Sequence, residues 1–249
     1  MSDLFTRPQL KAGSLRRGLS PTLWNQSPLA QHSVGGLDQG FGFVDDFLSY
    51  EADFLLAQDG SQGAVSMDTA AKGGVLLLDA AGTGDNLGPD LQMGGTVAAS
   101  SFIASAVSKI YYEARIKIVD TLAAAQLFVG LGAVLTPFID SDANASPNHI
   151  GFEAFSSTSA TFASEKATVR SSTSAAATLA EDTYIKLGFK IDGLTKVTPY
   201  VNGVAGTAIT TNIPIVAVTP TFAVRSTGST DPIMHIDWVA CFQEENIDN

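Results

Sequence analysis

Cysteine is nearly absent: the 249-residue sequence holds one, Cys241. No disulfide can close within it, and the apolar neighbours at 238–242 predict a buried, inert thiol and not a nucleophile. Charge is scarce too, at 16% of residues, and Ala, Ser, Thr and 23 Gly take its place. A surface so polar yet so weakly charged suits a chain covered by neighbouring molecules. Positive charge is the scarcer sign. Residues 1–40 hold Arg7, Lys11, Arg16 and Arg17 against Asp3 and Asp38, a balance of +2, so −13 of the net −11 falls on the remainder. An acidic body argues against nucleic acid as the main partner, because phosphate binding needs clustered Lys and Arg. Long hydrophobic runs are missing as well. The longest, 122–135, is broken by Gly130 and Gly132 and is too short to span a bilayer, so no membrane partner is expected. The opening Met-Ser-Asp-Leu-Phe lacks a basic start followed by an apolar stretch, so no secretory signal is expected and the chain is taken as soluble.

Sustained helical periodicity is also lacking; the Ala-rich stretch 171–180 comes nearest and is too rich in Ser and Thr. What the sequence does contain divides at about residue 40. Residues 1–40 combine Pro8, Pro21 and Pro28 with five Gly and show no period, which predicts an extended basic arm. Residues 41–249 read as one domain of short strands. Runs at 43–50 and 74–78 have strand length. Residues 112–119 alternate, with Tyr112, Ala114, Ile116 and Ile118 on one face and Glu113, Arg115 and Lys117 on a solvated or interface face. Further strands are expected at 126–134, 149–155, 160–170, 184–191, 197–201, 213–218, 221–225 and 234–242. Asn202-Gly203 is a strong hairpin signal, since both positions tolerate positive φ. Many short strands without helices predict an all-β antiparallel sandwich.

Several segments carry a resemblance. They are Phe43-Val-Asp-Asp-Phe, the strand from Lys109 to Ile118, Leu127-Phe-Val-Gly-Leu-Gly, the strand from Tyr184 to Gly193, Pro199-Tyr-Val-Asn-Gly, and the closing stretch from Met234 to Phe242. In this order they resemble the concanavalin-like jelly roll of lectins and glucanases, over the body from residue 41. The nearest resemblance in role is to capsid decoration proteins of tailed phages. It implies a cement protein on the outer virion surface, made in the host cytoplasm, whose partners are the major capsid protein and neighbouring copies of itself in a homo-oligomeric array. Arg7, Lys11, Arg16, Arg17 and Trp24 are then the candidate partner-binding residues, with the arm clamping adjacent subunits. The alternative is a lectin-type carbohydrate-binding module of a virion fibre or tail, and a third reading is a glycoside hydrolase.

No catalytic, cofactor or metal site is expected, and the chain is read as a non-enzyme. A retaining glucanase of this fold carries Glu, one residue, Asp, two residues, Glu on one strand; around Glu153 and Asp237 that spacing is absent. Asp140, Asp142 and Asn144 open like a calcium loop, but Ala145 stands where glycine is required and Gly151 where the bidentate Glu belongs, so a surface turn is expected. Asp85, Asn86 and Asp90 read the same way. His32, His149 and His235 share no ligand spacing and are taken as structural. Trp24 either anchors the arm in a partner or packs back on its own sandwich.

Overall fold

A computed structural model describes residues 18–27, 40–48, 54–58, 63–71, 73–80, 87–93, 102–135, 137–140, 143–144, 146–228 and 231–244. Two antiparallel sheets face each other. The first has eight strands: β1 (Gly40–Asp45), β3 (Ala64–Met67), β4 (Leu76–Asp79), β6 (Lys109–Val119), β13 (Ile185–Asp192), β14 (Lys196–Val201), β15 (Val204–Ala205) and β17 (Ile233–Glu244). They run in the order β15-β14-β13-β6-β17-β4-β3, with β1 also paired to β17. The second has seven: β2 (Phe54–Gln58), β5 (Pro89–Met93), β7 (Ala125–Gly132), β10 (Asn148–Phe155), β11 (Ser159–Lys166), β12 (Val169–Thr178) and β16 (Thr219–Ser226), in the order β12-β11-β10-β7-β16-β5-β2. A small hairpin, β8 (Ile139–Asp140) with β9 (Ala143–Asn144), lies outside both. The sandwich is the antiparallel all-β fold expected.

Alternation builds the core. Ile110, Tyr112, Ala114, Ile116 and Ile118 of β6 and Leu187, Phe189 and Ile191 of β13 point inward. They meet Leu127, Val129 and Leu131 of β7 with Ile150 and Phe152 of β10. Each of the Ile, Leu, Val and Phe side chains contributes about 1.5–3 kcal/mol on burial. Cys241 is among them, as its neighbours predicted.

The strand limits shift in places. The expected strand 160–170 is two, β11 and β12, joined by a turn in which Ala167 and Thr168 have positive φ. The Ala-rich stretch considered for a helix is the edge strand β12. The apolar stretch 213–218 is not a strand; the β16 run starts at Thr219.

The arm also departs from expectation where it is described. Pro21–Trp24 forms one helical turn, α1, with Pro at its start, where a missing N–H costs nothing. It lies on the outer face of the eight-stranded sheet, and Leu23 and Trp24 are fully buried there against Tyr111, Tyr200, Trp238, Ala240 and Phe242. Trp24 thus packs on its own sandwich. Arg7, Lys11, Arg16 and Arg17 lie outside the described residues.

Candidate functional site

The outer face of the seven-stranded sheet holds polar groups that the core does not need. On β10 the outward positions are His149, Gly151, Glu153 and Phe155, because Ile150, Phe152 and Ala154 face inward. Cross-strand pairing extends this face. His149 stands opposite Glu165, Glu153 opposite Thr161, and Glu165 opposite Arg170. In the other direction Glu153 stands opposite Phe128, Phe128 opposite Ala223, and Ala223 opposite Asp90.

Glu153 is the centre of the cluster. Its side chain is 1% exposed, yet it is a carboxylate. Two neighbours compensate: the Arg170 guanidinium pairs with Oε1, and the Asn144 amide donates to Oε2. His149 lies four residues away on the same face of the same strand, with Nε2 3.9 Å from Glu153 Oε2. Its Nδ1 is 2.9 Å from the Ser146 carbonyl, which can only accept, so the proton sits on Nδ1 and Nε2 is left as an acceptor 3.4 Å from the Asn144 amide. Burial pushes the imidazole pKa down to about 4, with the Arg170 charge acting in the same sense and the Ser146 bond against it. The ring is therefore neutral at pH 7. Burial raises the Glu165 carboxyl as well.

Aromatic packing closes one end of this face. Phe138 packs tilted against Phe128 at 4.6 Å between centroids and meets His149 edge-on at 6.2 Å. It fits because β7 has glycine below it: a Cβ on Gly132 would come within 2.3 Å of the Phe138 ring. The Phe138 amide donates to Asp90 Oδ2 at 2.7 Å, and the same carboxylate oxygen takes Arg225 at 2.6 Å, both side chains fully buried. Asp90 is thus no surface turn residue. Removing either partner of such a pair leaves an uncompensated buried charge. The opposite end is accessible, since Arg170 and Ser172 are exposed and Thr161 and Glu165 partly so.

Glycoside hydrolysis by two carboxylates needs them about 5–5.5 Å apart for retention or about 6.5–9.5 Å for inversion. Asp90 lies three strands from Glu153 along one row, about 14 Å by strand spacing. Glu165 stands opposite His149, four residues along β10 from Glu153, and both His149 and Arg170, its two cross-strand neighbours, reach the Glu153 carboxyl. The described residues contain no group of three or more His, Cys, Asp or Glu able to hold a metal. Asp140 is exposed, Asn144 is turned to Glu153, and Asp142, Asp85, Asn86 and His32 lie outside the described residues.

No family model matches the chain, and no curated protein does. Solved structures do. A β-glucanase of Bacillus licheniformis is 15% identical, with a TM-score of 0.55 over 83% of this chain and 99% of that one. A β-1,3-1,4-glucanase (lichenase) from a mouse hindgut metagenome is 14% identical, with a TM-score of 0.55 over 80% and 98%. A protein of unknown function from Shewanella oneidensis MR-1 is 15% identical, with a TM-score of 0.60 over 96% and 97%. At such identities the likeness shows the fold alone. That fold is the concanavalin-like jelly roll of glucanases and lectins. The expectation of a non-enzyme is corrected by these structures: the architecture is one that glucanases use, and it gives no ground for setting hydrolysis aside. Capsid decoration finds no support in these structures.

The residues missed from sequence are Glu153, Arg170, Asn144 and Asp90. A signal for the first was present, because 149–155 alternates and places Glu153 on the non-core face. Its partners come from 17 residues ahead and nine residues behind in sequence, and only the β10–β11–β12 pairing brings Arg170 to it.

Proposed function

We propose that this protein is carbohydrate-active and takes a β-linked glucan along the outer face of the seven-stranded sheet, from the open β11–β12 side toward Glu153. The observation that carries this is the buried Glu153 carboxylate, held by Arg170 and Asn144 on the non-core face of a central strand. Sequestered charge at that position has no packing role, and perturbed polar groups collected on one face mark functional sites. The fold likeness to β-1,3-1,4-glucanases supports the choice of ligand class. Sugar hydroxyls are met well by this chemistry. Arg170, held by Glu153, offers a planar fork of donors, the partly exposed Glu165 offers acceptors, and the half-buried Phe155 offers a ring edge at the rim.

The Glu153→Gln and Arg170→Ala variants test this by titration calorimetry with mixed-linkage β-glucan oligosaccharides. Each is expected to weaken binding about tenfold to a hundredfold, the worth of one hydrogen bond to a charged group. Release of reducing ends by wild type, lost in Glu153→Gln, would place the same carboxyl in acid catalysis. Absence of binding to any glucan, or binding indifferent to both substitutions, overturns the proposal.

A further inference from the structure

The opposite face of the sandwich has a separate binding architecture. Residues 18–27 form a strap across the eight-stranded sheet, and the sheet's side chains read the strap's main chain. Glu113 Oε2 accepts from the Ser20 amide at 2.9 Å and from the Trp24 indole at 2.8 Å. Lys186 Nζ donates to the Gly18 carbonyl at 3.0 Å, and the Tyr111 hydroxyl donates to the Gln26 carbonyl at 2.8 Å. The Thr22 hydroxyl reaches the Gly203 carbonyl, and the Gln26 amide reaches the Tyr200 hydroxyl at 3.2 Å. Two glycines make the floor: a Cβ on Gly188 would meet Leu23 at 3.0 Å, and one on Gly203 would meet Thr22 at 3.1 Å. A buried carboxylate and a buried ammonium are costly unless bonded, and here the strap supplies bonds to both. Ordinary packing of a loop on a sheet needs no such charges. This is how a groove recognises a peptide.

We infer that the outer face of the eight-stranded sheet is a peptide-docking groove, and that it accepts residues 18–27 of a second copy as well as its own. Strap and groove occur together in every copy, so exchange is self-complementary and closes as a pair under two-fold symmetry. Each exchanged strap regains the same contacts, so the balance between the closed monomer and the exchanged dimer is set by the connection and the concentration. That connection is residues 28–39, twelve in number, which extended would cover at most about 43 Å. It is long enough to serve a neighbour. A vacated groove would leave Tyr111, Trp238 and Phe242 as an uncovered aromatic patch around Glu113, a surface that a second strap buries. The proposal does not depend on the glucan site, which lies on the other sheet.

The test uses two full-length variants. Leu23→Ala/Trp24→Ala keeps the groove and spoils the strap; Glu113→Ala/Lys186→Ala keeps the strap and spoils the groove. Each alone is expected to run as a monomer in size-exclusion chromatography with light scattering, and their mixture to form a 1:1 complex that falls apart on dilution. Should the groove variant fail to fold, a labelled peptide of residues 18–27 replaces it. The peptide is expected to bind Leu23→Ala/Trp24→Ala saturably and to bind wild type at least about tenfold more weakly, because the tethered strap competes at an effective concentration near millimolar. No complex in the mixture of folded variants overturns the inference, as does no peptide binding up to about 1 mM.

Discussion

His149 shows how one buried side chain sets a property of the whole protein. Its ring is fully buried and takes a proton near pH 4 in the folded state, against about 6.5 when unfolded. Between those values the unfolded chain holds the proton and the folded chain does not. Stability is therefore complete above pH 6.5 and declines as the pH falls toward 4, by up to about 3 kcal/mol. Urea unfolding at pH 7 and at pH 4.5 should show this decline in wild type and a smaller one in His149→Gln. An equal decline in both would assign it to other groups. The sequence supported a structural histidine here, since no second ligand stands at a metal spacing. It could not show the neutral state, which comes from the Ser146 carbonyl and the rings of Phe128 and Phe138 around it.

At the scale of elements, strands with one wet and one dry face were legible and the others were not. The alternation of residues 112–119 and 184–191 located β6 and β13, because the inward positions, Ala114 apart, carry large Ile, Leu, Phe and Tyr side chains. The outward positions of β6 misled, as Glu113 looks solvated until the strap covers it. Strand β12 was obscured for a different reason. It is an edge strand, mostly exposed, and Ser, Thr and Ala there have no core to mark them. Glycine in β7 carries a prediction at this scale. Gly132→Ala would put a methyl group into the Phe138 ring, and the overpacking should cost about 1–3 kcal/mol in thermal or chemical unfolding. A neutral outcome would mean that Phe138 and the hairpin β8–β9 shift away freely, in which case Phe138 does not close that end of the face.

For the molecule as a whole, the class of fold followed from turn spacing and strand patterning, while the site did not, since it is assembled from strands distant in sequence. The same nonlocal wiring governs how the protein is made. Strand β17 lies in the interior of the eight-stranded sheet, hydrogen-bonded to β6 along Ile233–Glu244 and also to β4 and β1. The earlier strands β4 and β6 thus wait, during synthesis, for a seam formed from residues more than 110 positions later. Pairings that distant close slowly and leave apolar faces open in the meantime. A nascent chain halted before residue 233 is expected to remain without cooperative structure and to recruit holding chaperones, then fold abruptly once residue 244 has emerged. A protein ending at residue 232 should accordingly show no cooperative melt by circular dichroism. If it melts cooperatively, the first sheet can close without its last strand, and folding would proceed while the chain is still being extended.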